Sequence, residues 1–327
     1  MSGRELWFVG PHRVELRRGM AAPLVDGQVR ARALASGISQ GTELLLFRGE
    51  GPTPFDPSLD APGAPTYPRR YGYAWVGEVV ESTSAVHPRG ARVFALAPHG
   101  DEQVLNAGNA RVLPAELPAA RAVLAANLET AVNVVWDAGV ALGDDVLVVG
   151  GGVVGLLIGY LARKSGAGRV RLLEPSARRR AAALALGFDE ASATLLPAPP
   201  GSSAADVVIE ASGDPACLEL ALRCVRDEGV VTVASFYGQR TAPVALGTDF
   251  HRRRLSLRSS QVSRIPPSHG AGWSFERRFE LVIHLLKNPQ LDALLDSPVS
   301  FAEAPTIYAR LAKAPGEALQ TVFSYPS

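Results

Sequence analysis

Cysteine is scarce: Cys217 and Cys224 are the only two in 327 residues. Two thiols cannot make a disulfide framework or a four-thiolate zinc site. Lysine is scarce too, with only Lys164, Lys287 and Lys313 among 33 basic residues. We read the arginine excess as the base composition of the gene. Neither sign of charge dominates: 33 basic against 32 acidic residues leave a net charge of +1. A polyanion-binding surface is not advertised, so nucleic acid is not an expected partner. No apolar run reaches the roughly 18 residues of a membrane span. The opening MSGRELWFVG lacks the basic-then-apolar pattern of an export signal. A cytoplasmic location is therefore expected.

What is present is globular in kind, with 47% hydrophobic and 20% charged residues. The length implies two domains. The first 120 or so residues are rich in Gly and Pro, with short β-like runs at 13–16, 28–33, 76–80 and 92–96. Residues 49–68 hold six Pro and three Gly and read as a surface loop, a candidate lid. The middle then changes character. Residues 119–140 are helical. Apolar strands at 146–149, 170–173, 206–209 and 230–234 alternate with helices, one of them at 178–186. This alternation is expected to form a doubly wound parallel sheet. Asp214 before Pro215 is expected to cap a helix running to 226. Residues 194–203 read as a simple loop. In the tail, 275–286 is an amphipathic helix, 291–300 reads as extended, 303–313 as helical and 319–325 as a final strand.

The sharpest motif is Gly150-Gly-Gly152-Val153-Val154-Gly155, a G-x-G-x-x-G between a strand and a helix. Gly150 would make the tight turn. Gly152 would let the backbone approach a pyrophosphate, and Gly155 would permit close helix–strand packing. The free N–H groups at Val153, Val154 and Gly155 would face the phosphates. Glu174 lies at the end of the next strand, where a carboxylate accepts from an adenosine ribose and repels a 2′-phosphate. That favours NAD(H) over NADP(H). Arg178, Arg179 and Arg180 stand against this preference, since an Arg there could hold the phosphate. Ser212, after a later strand, either contacts ribose or caps its own turn.

Taken together, these features resemble the medium-chain dehydrogenase/reductase superfamily. The segments that carry the likeness are 35–43 (ASGISQGTE), 71–79 (YGYAWVGEV), 90–93 (GARV), Thr130-Ala131 and the glycine loop, in the expected order. The resemblance implies an α/β protein with a GroES-like β-rich catalytic domain at 1–124. A Rossmann domain follows at 125–262, and the chain returns to the catalytic domain at 263–327. It further implies an NAD(P)-dependent oxidoreductase, and a homodimer is the expected assembly. The segment from Ser36 to Glu43 is similar to that of the bacteriochlorophyllide-type dehydrogenases, without carrying over their substrate.

The departures from the family pattern set the expected chemistry. Zinc-dependent members hold the metal by Cys, then His-Glu, then Cys or a carboxylate. The matching positions here are Ser39 (or Gln40), Tyr73-Ala74 and Ala126. No zinc is expected. Hydrogen-bond donors must then steady the charge on the substrate oxygen. Tyr73 could donate a proton or simply fill the vacated cavity. Thr42 matches a proton-relay hydroxyl, or is a turn hydroxyl. Ser39 is a polar replacement, or filler. Glu129 is a candidate acid at the domain junction, or pairs with an Arg. Thr130 is expected near the nicotinamide. His99 either faces the cleft or is a solvent-facing loop residue. Tyr67, Arg69 and Arg70 are candidates for the substrate mouth, and His251 with Arg252–254 for an anion contact. The expected reaction is on a secondary alcohol or ketone, or on a conjugated enoyl carbonyl. The rival reading is a nucleotide-bound sensor without turnover.

Overall fold

The computed structural model describes residues 3–19, 22–52, 66–194 and 204–326. It divides into two compact units, Met1–Ala126 with Leu295–Ser327, and Asn127–Leu294. The loop expected at 49–68 lies mostly outside the described residues, as does most of the one at 194–203.

The first unit is β-rich. Its early elements are β1 (Arg4–Gly10), β2 (Arg13–Arg18), β3 (Gln28–Gly37) and helix α1 (Thr42–Arg48). Next come β4 (Trp75–Ser82), β5 (Arg92–Ala95), β6 (Glu102–Asn106), β7 (Arg111–Val112) and α2 (Ala119–Ala122). β1 and β2 form an antiparallel pair. β3 has partners on both sides, pairing antiparallel with β4 and with β6. Alternation along β3 buries Val29, Ala31, Ala33 and Ala35. Trp75 fills the centre of that sheet, and its Nε1 donates to the Gly100 carbonyl at 3.0 Å. A second core gathers Leu6, Phe8, Leu46, Phe47, Phe301 and Tyr308.

The second unit starts in α3 (Ala125–Ala138), which ends at Gly139 with φ 67°, the left-handed cap that glycine adopts without strain. Then follow β8 (Asp145–Val149), α4 (Val153–Lys164), β9 (Arg169–Leu173), α5 (Ala177–Ala185), β10 (Glu190–Ser192), β11 (Val207–Glu210), α6 (Cys217–Cys224), β12 (Val230–Val233), β13 (Ser256–Ser259) and α7 (Phe275–Leu286). Among the described residues the strands form one parallel sheet in the order β10-β9-β8-β11-β12-β13. This is the expected doubly wound arrangement. The apolar run of β8 is buried because its sheet position has a neighbour on each side. The chain then re-enters the first unit with β14 (Val299–Ser300), α8 (Ala304–Lys313) and β15 (Val322–Ser324), which pairs with β3.

Several expectations need correction. Residues 263–294 belong to the second unit, and the return begins at Leu295 rather than 263. Polar ties explain this. Arg278 on α7 bonds Asn133 at 2.8 Å, Asn288 bonds the Tyr160 hydroxyl at 2.8 Å, and Gln290 bonds the Ala185 carbonyl at 2.8 Å. Residues 291–300 are not extended throughout, because Pro289–Leu294 is a 3-10 turn that buries Leu291 and Leu294. The helix after Asp214 starts at Cys217. The Asp214 carboxylate accepts from Ala216 N–H at 3.0 Å and makes a turn, so Pro215 precedes the helix. The single helix expected at 119–140 is two, α2 and α3. Helix α1 had no counterpart in the sequence reading.

Candidate functional site

In the second unit the glycine loop follows β8 directly. Gly150 has φ 103°, and a Cβ there would sit 2.4 Å from Ser212 Cα. A Cβ at Gly155 would sit 2.0 Å from the Gly150 carbonyl oxygen. The loop and the start of α4 therefore need glycine on packing grounds alone. Gly152 differs: a Cβ there meets nothing within 4 Å. It caps α4 without a side chain, so the first-turn N–H groups of Val153, Val154 and Gly155 find no side-chain acceptor on the cap residue. This open, donor-lined turn fits a pyrophosphate.

Two buried carboxylates flank the loop. Glu174, at the end of β9, accepts from Gly151 N–H at 2.7 Å and Ser176 N–H at 2.8 Å. The Arg179 guanidinium approaches it at 3.8 Å, and Arg180 bonds the Glu174 carbonyl at 2.8 Å. Glu174 thus holds the loop as well as standing where the ribose carboxylate is expected. Glu210, at the end of β11, is fully buried. It accepts from Ser212 N–H at 2.7 Å and from the Tyr237 hydroxyl at 2.5 Å. Burial first, and then the Glu210 hydrogen bond and charge, push the Tyr237 phenol well above its ordinary value. Ser212 Oγ also accepts from Asp214 N–H at 2.9 Å, so it caps its own turn. Sequence reasoning passed over Glu210 and Tyr237. The available signal was a Glu closing an otherwise apolar strand.

Glu129 and Thr130 are neighbours on α3, both half-buried. Glu129 is not an uncommitted acid: its Oε1 lies 3.2 Å from Nε of buried Arg278. The pairing alternative holds, and Glu129 anchors α7 to α3. His251 and its arginines form a charged turn in which Arg253 and Arg254 pair with Asp227 and Glu228 at 2.7 and 3.3 Å. Cys217 and Cys224 are half-buried on α6, and burial pushes both thiols up.

In the first unit, Ser39, Thr42 and Tyr73 come together. The hydroxyls of Ser39 and Tyr73 share a hydrogen bond, and Thr42 N–H reaches Ser39 Oγ at 3.4 Å. Tyr73 is half-buried, edge-on to Tyr71 at 6.3 Å. His99 neither faces solvent nor opens on a cleft. It is 1% exposed, with Nε2 3.0 Å from Glu43 Oε2 and Nδ1 2.6 Å from Ser36 Oγ. Glu43, which the sequence reading passed over as a site residue, is fully buried and also accepts from Ser39 N–H at 2.8 Å. Its signal was its position four residues after Ser39, within reach of the Ser39 N–H. Of the mouth candidates, Tyr67 donates to the Leu46 carbonyl and Arg70 pairs with Glu5 at 3.0 Å.

Comparison with known proteins agrees with this layout. Residues 153–271 match the zinc-binding dehydrogenase family. The chain is 28% identical over 311 residues to D-guloside 3-dehydrogenase of Escherichia coli (strain K12), covering 87% of this chain and 89% of that protein. A crystal structure from Sinorhizobium meliloti 1021 bound to NADP superposes with a TM-score of 0.79 at 21% identity, over 99% of this chain and 100% of that one. A short chain alcohol dehydrogenase of E. coli CFT073 complexed with NADH gives 0.78 at 18%, over 99% and 100%. These likenesses support the medium-chain dehydrogenase/reductase superfamily. The two structural matches show the fold, a β-rich domain with a parallel Rossmann-like sheet. The resemblance would match the metal positions of that superfamily to Ser39 or Gln40, Tyr73-Ala74 and Ala126. Gln40 donates to the Leu319 carbonyl, and Ala74 and Ala126 are buried aliphatic residues. Zinc takes thiolate, imidazole or carboxylate ligands, and this set does not fit it. Among the described residues, no three His, Cys, Asp or Glu side chains could hold a metal ion together.

Proposed function

We propose that the protein is an NAD(P)-dependent dehydrogenase that interconverts a secondary alcohol and its ketone without zinc. One observation carries the reading: the Tyr73 phenol, which the resemblance matches to a metal-binding His, shares a hydrogen bond with Ser39. A nicotinamide dinucleotide, when bound, would supply or take up the hydride. Val153, Val154 and Gly155 would hold its pyrophosphate by their N–H groups, and Glu174 would hold its adenosine ribose. In ketone reduction Tyr73 donates its proton to the substrate oxygen, with Ser39 steadying the phenol. In alcohol oxidation the same proton returns. Thr42 offers a hydroxyl that makes no hydrogen bond among the described residues.

The dehydrogenase names of the relatives weigh against a non-catalytic sensor. The guloside relative makes a ring hydroxyl of a glycoside the first substrate class to test. It also favours alcohol chemistry over the enoyl reading. Glu174 favours NAD(H), and the nearby Arg179 is the feature that opposes it.

The test is Tyr73→Phe, assayed with methyl D-guloside and a panel of methyl hexosides. A general acid contributes about 10²–10⁴-fold, and turnover should fall by that factor with the dinucleotide Kd unchanged. Undiminished turnover would remove Tyr73 from the chemistry. One tightly bound zinc per chain by elemental analysis would overturn the metal-free reading.

A further inference from the structure

Glu43 is a carboxylate with no exposed surface, placed where three donors converge. Oε1 takes Ser39 N–H at 2.8 Å. Oε2 takes His99 Nε2 at 3.0 Å and also the Tyr308 hydroxyl. A buried carboxylate is strongly unfavourable unless its oxygens are bonded, and these are. The donors come from three separate places in the chain: the turn before α1, the segment between β5 and β6, and α8.

The same contacts fix the imidazole. With Nε2–H given to Glu43, Nδ1 is left to accept from Ser36 Oγ at 2.6 Å. Ser36 in turn shares a hydrogen bond with the Tyr325 hydroxyl at 2.6 Å. The His99 ring packs perpendicular to the Phe323 ring, their centroids 5.2 Å apart and their planes at 88°. The ring is thus held on every side, and it supports both hydroxyl-bearing residues. On one side it holds Glu43, which holds the Ser39 backbone. On the other it lies under Gly72, the residue before Tyr73. Gly72 has φ 133°, and a Cβ there would be 3.0 Å from His99 Cδ2. Only glycine lets the backbone rest on the ring so closely.

The start of α1 adds to this. Glu43 N–H bonds the Ser39 carbonyl at 2.9 Å, while the Glu43 carboxylate returns to Ser39 N–H. This reciprocal closure resembles a capping box, drawn so that Ser39 Oγ is turned toward Tyr73.

We propose that Glu43 and His99 are a positioning pair that sets the Ser39 and Tyr73 hydroxyls, neither of the two touching substrate. The proposal rests on the reading of Tyr73 as the proton carrier, and its first readout does not depend on that reading. The full chain is labelled with tyrosine carrying 13C at Cζ, and the Tyr73 resonance is assigned as the one missing in Tyr73→Phe. Glu43→Gln sets an amide NH₂ among three donors, and His99→Gln removes the ring under Gly72. Both should shift or broaden the Tyr73 resonance. Both should lower kcat for methyl D-guloside oxidation by about 10²-fold, the scale of a misplaced reacting group, with the dinucleotide KM unchanged. Glu43→Asp, which keeps the charge, should recover part of the loss. Phe301→Leu, in the same core, is the control for lost stability alone. If Glu43→Gln and His99→Gln match a Phe301→Leu protein of equal Tm in both resonance and kcat, the pair is only packing and the proposal falls. If the resonance moves while Tyr73→Phe turns over normally, the positioning stands and the proton-carrier reading falls.

Discussion

The two units build their sites from different materials. In the second, the decisive groups are mostly backbone: a turn that needs glycine and the free N–H groups at the start of α4, with Glu174 bracing the loop and Glu210 holding Ser212 beside Gly150. In the first they are side chains gathered from Ser36, Ser39, Glu43, Tyr73, His99, Tyr308 and Tyr325. A backbone site is written in one short stretch of sequence, because its requirement is steric and local. A side-chain network is written in pieces, each ordinary by itself. The contrast predicts where substitutions should act: on folding and cofactor binding in the second unit, on the alignment of hydroxyls in the first.

The largest effect is expected where the second unit buries charge for structure alone. Glu129→Ala leaves the Arg278 guanidinium, whose side chain is 4% exposed, without its carboxylate. Breaking such a pair from one side costs about 3–5 kcal/mol. Chemical denaturation should show that loss, while the pH profile of turnover keeps its shape. A Glu129→Ala protein of normal stability but no turnover would return Glu129 to the role of acid and blur the division between the units.

A pair of glycine substitutions sharpens the backbone half of the contrast. Gly155→Ala drives a methyl into the Gly150 carbonyl, and overpacking of this kind costs about 1–3 kcal/mol. Because the displaced atom belongs to the loop, dinucleotide binding should be lost as well. Gly152→Ala meets no protein atom within 4 Å. As a poorer N-cap it should lower Tm far less than Gly155→Ala does, while weakening the dinucleotide, measured by fluorescence titration. Equal losses of Tm in the two variants would mean that the open space at Gly152 is not a ligand cradle.

The same contrast explains what could be read from the sequence. The glycine loop and the alternating strands of the parallel sheet were legible because each is a local requirement. The pairing of Ser39 with Tyr73 had a sequence basis only through the family positions. The role of His99 was not legible. Its partners Glu43 and Ser36 lie 56 and 63 residues away, and Ser36 is bonded to Tyr325 across 289 residues. Nothing in a pattern of neighbours encodes that. The start of α6 was misread for the opposite reason. Asp214-Pro215 is a strong local signal for a helix start, but here Asp214 turns its carboxylate back to Ala216 and the helix waits for Cys217.

A smaller effect is expected at Glu174, which serves both the loop and the proposed ribose contact. Glu174→Gln keeps the size but removes the charge that repels a 2′-phosphate. It leaves Arg178 in place and Arg179 without its carboxylate. The preference for NAD(H) should shrink by about tenfold, equivalent to about 1.4 kcal/mol. Paired titrations with NADH and NADPH measure it. Wild-type protein that binds NADPH more tightly would show that the arginines already outweigh the carboxylate.

The smallest effect is a slope in alkali. Burial, and then the charge of Glu43, push the Tyr308 phenol well above its ordinary value, and burial does the same for Tyr325 and, in the second unit, Tyr237. A raised folded pKa means that the unfolded chain releases these protons first. The stability they contribute is therefore complete below the unfolded pKa of about 10, and it is lost as pH rises from there toward the folded values. Each such tyrosine steepens the fall by at most about 1.4 kcal/mol per pH unit. Tyr308→Phe should remove one share of that slope between about pH 10 and 11, seen by urea denaturation at a series of pH values. It should also lower stability at neutral pH, since Glu43 loses one of its three donors. Tyr237→Phe should change the alkaline slope equally without touching the Glu43 network. A slope unchanged by Tyr308→Phe would mean that its phenol titrates as freely in the folded chain as in the unfolded one. Glu43 would then not be the enclosed carboxylate on which the first unit's hydroxyls are proposed to depend.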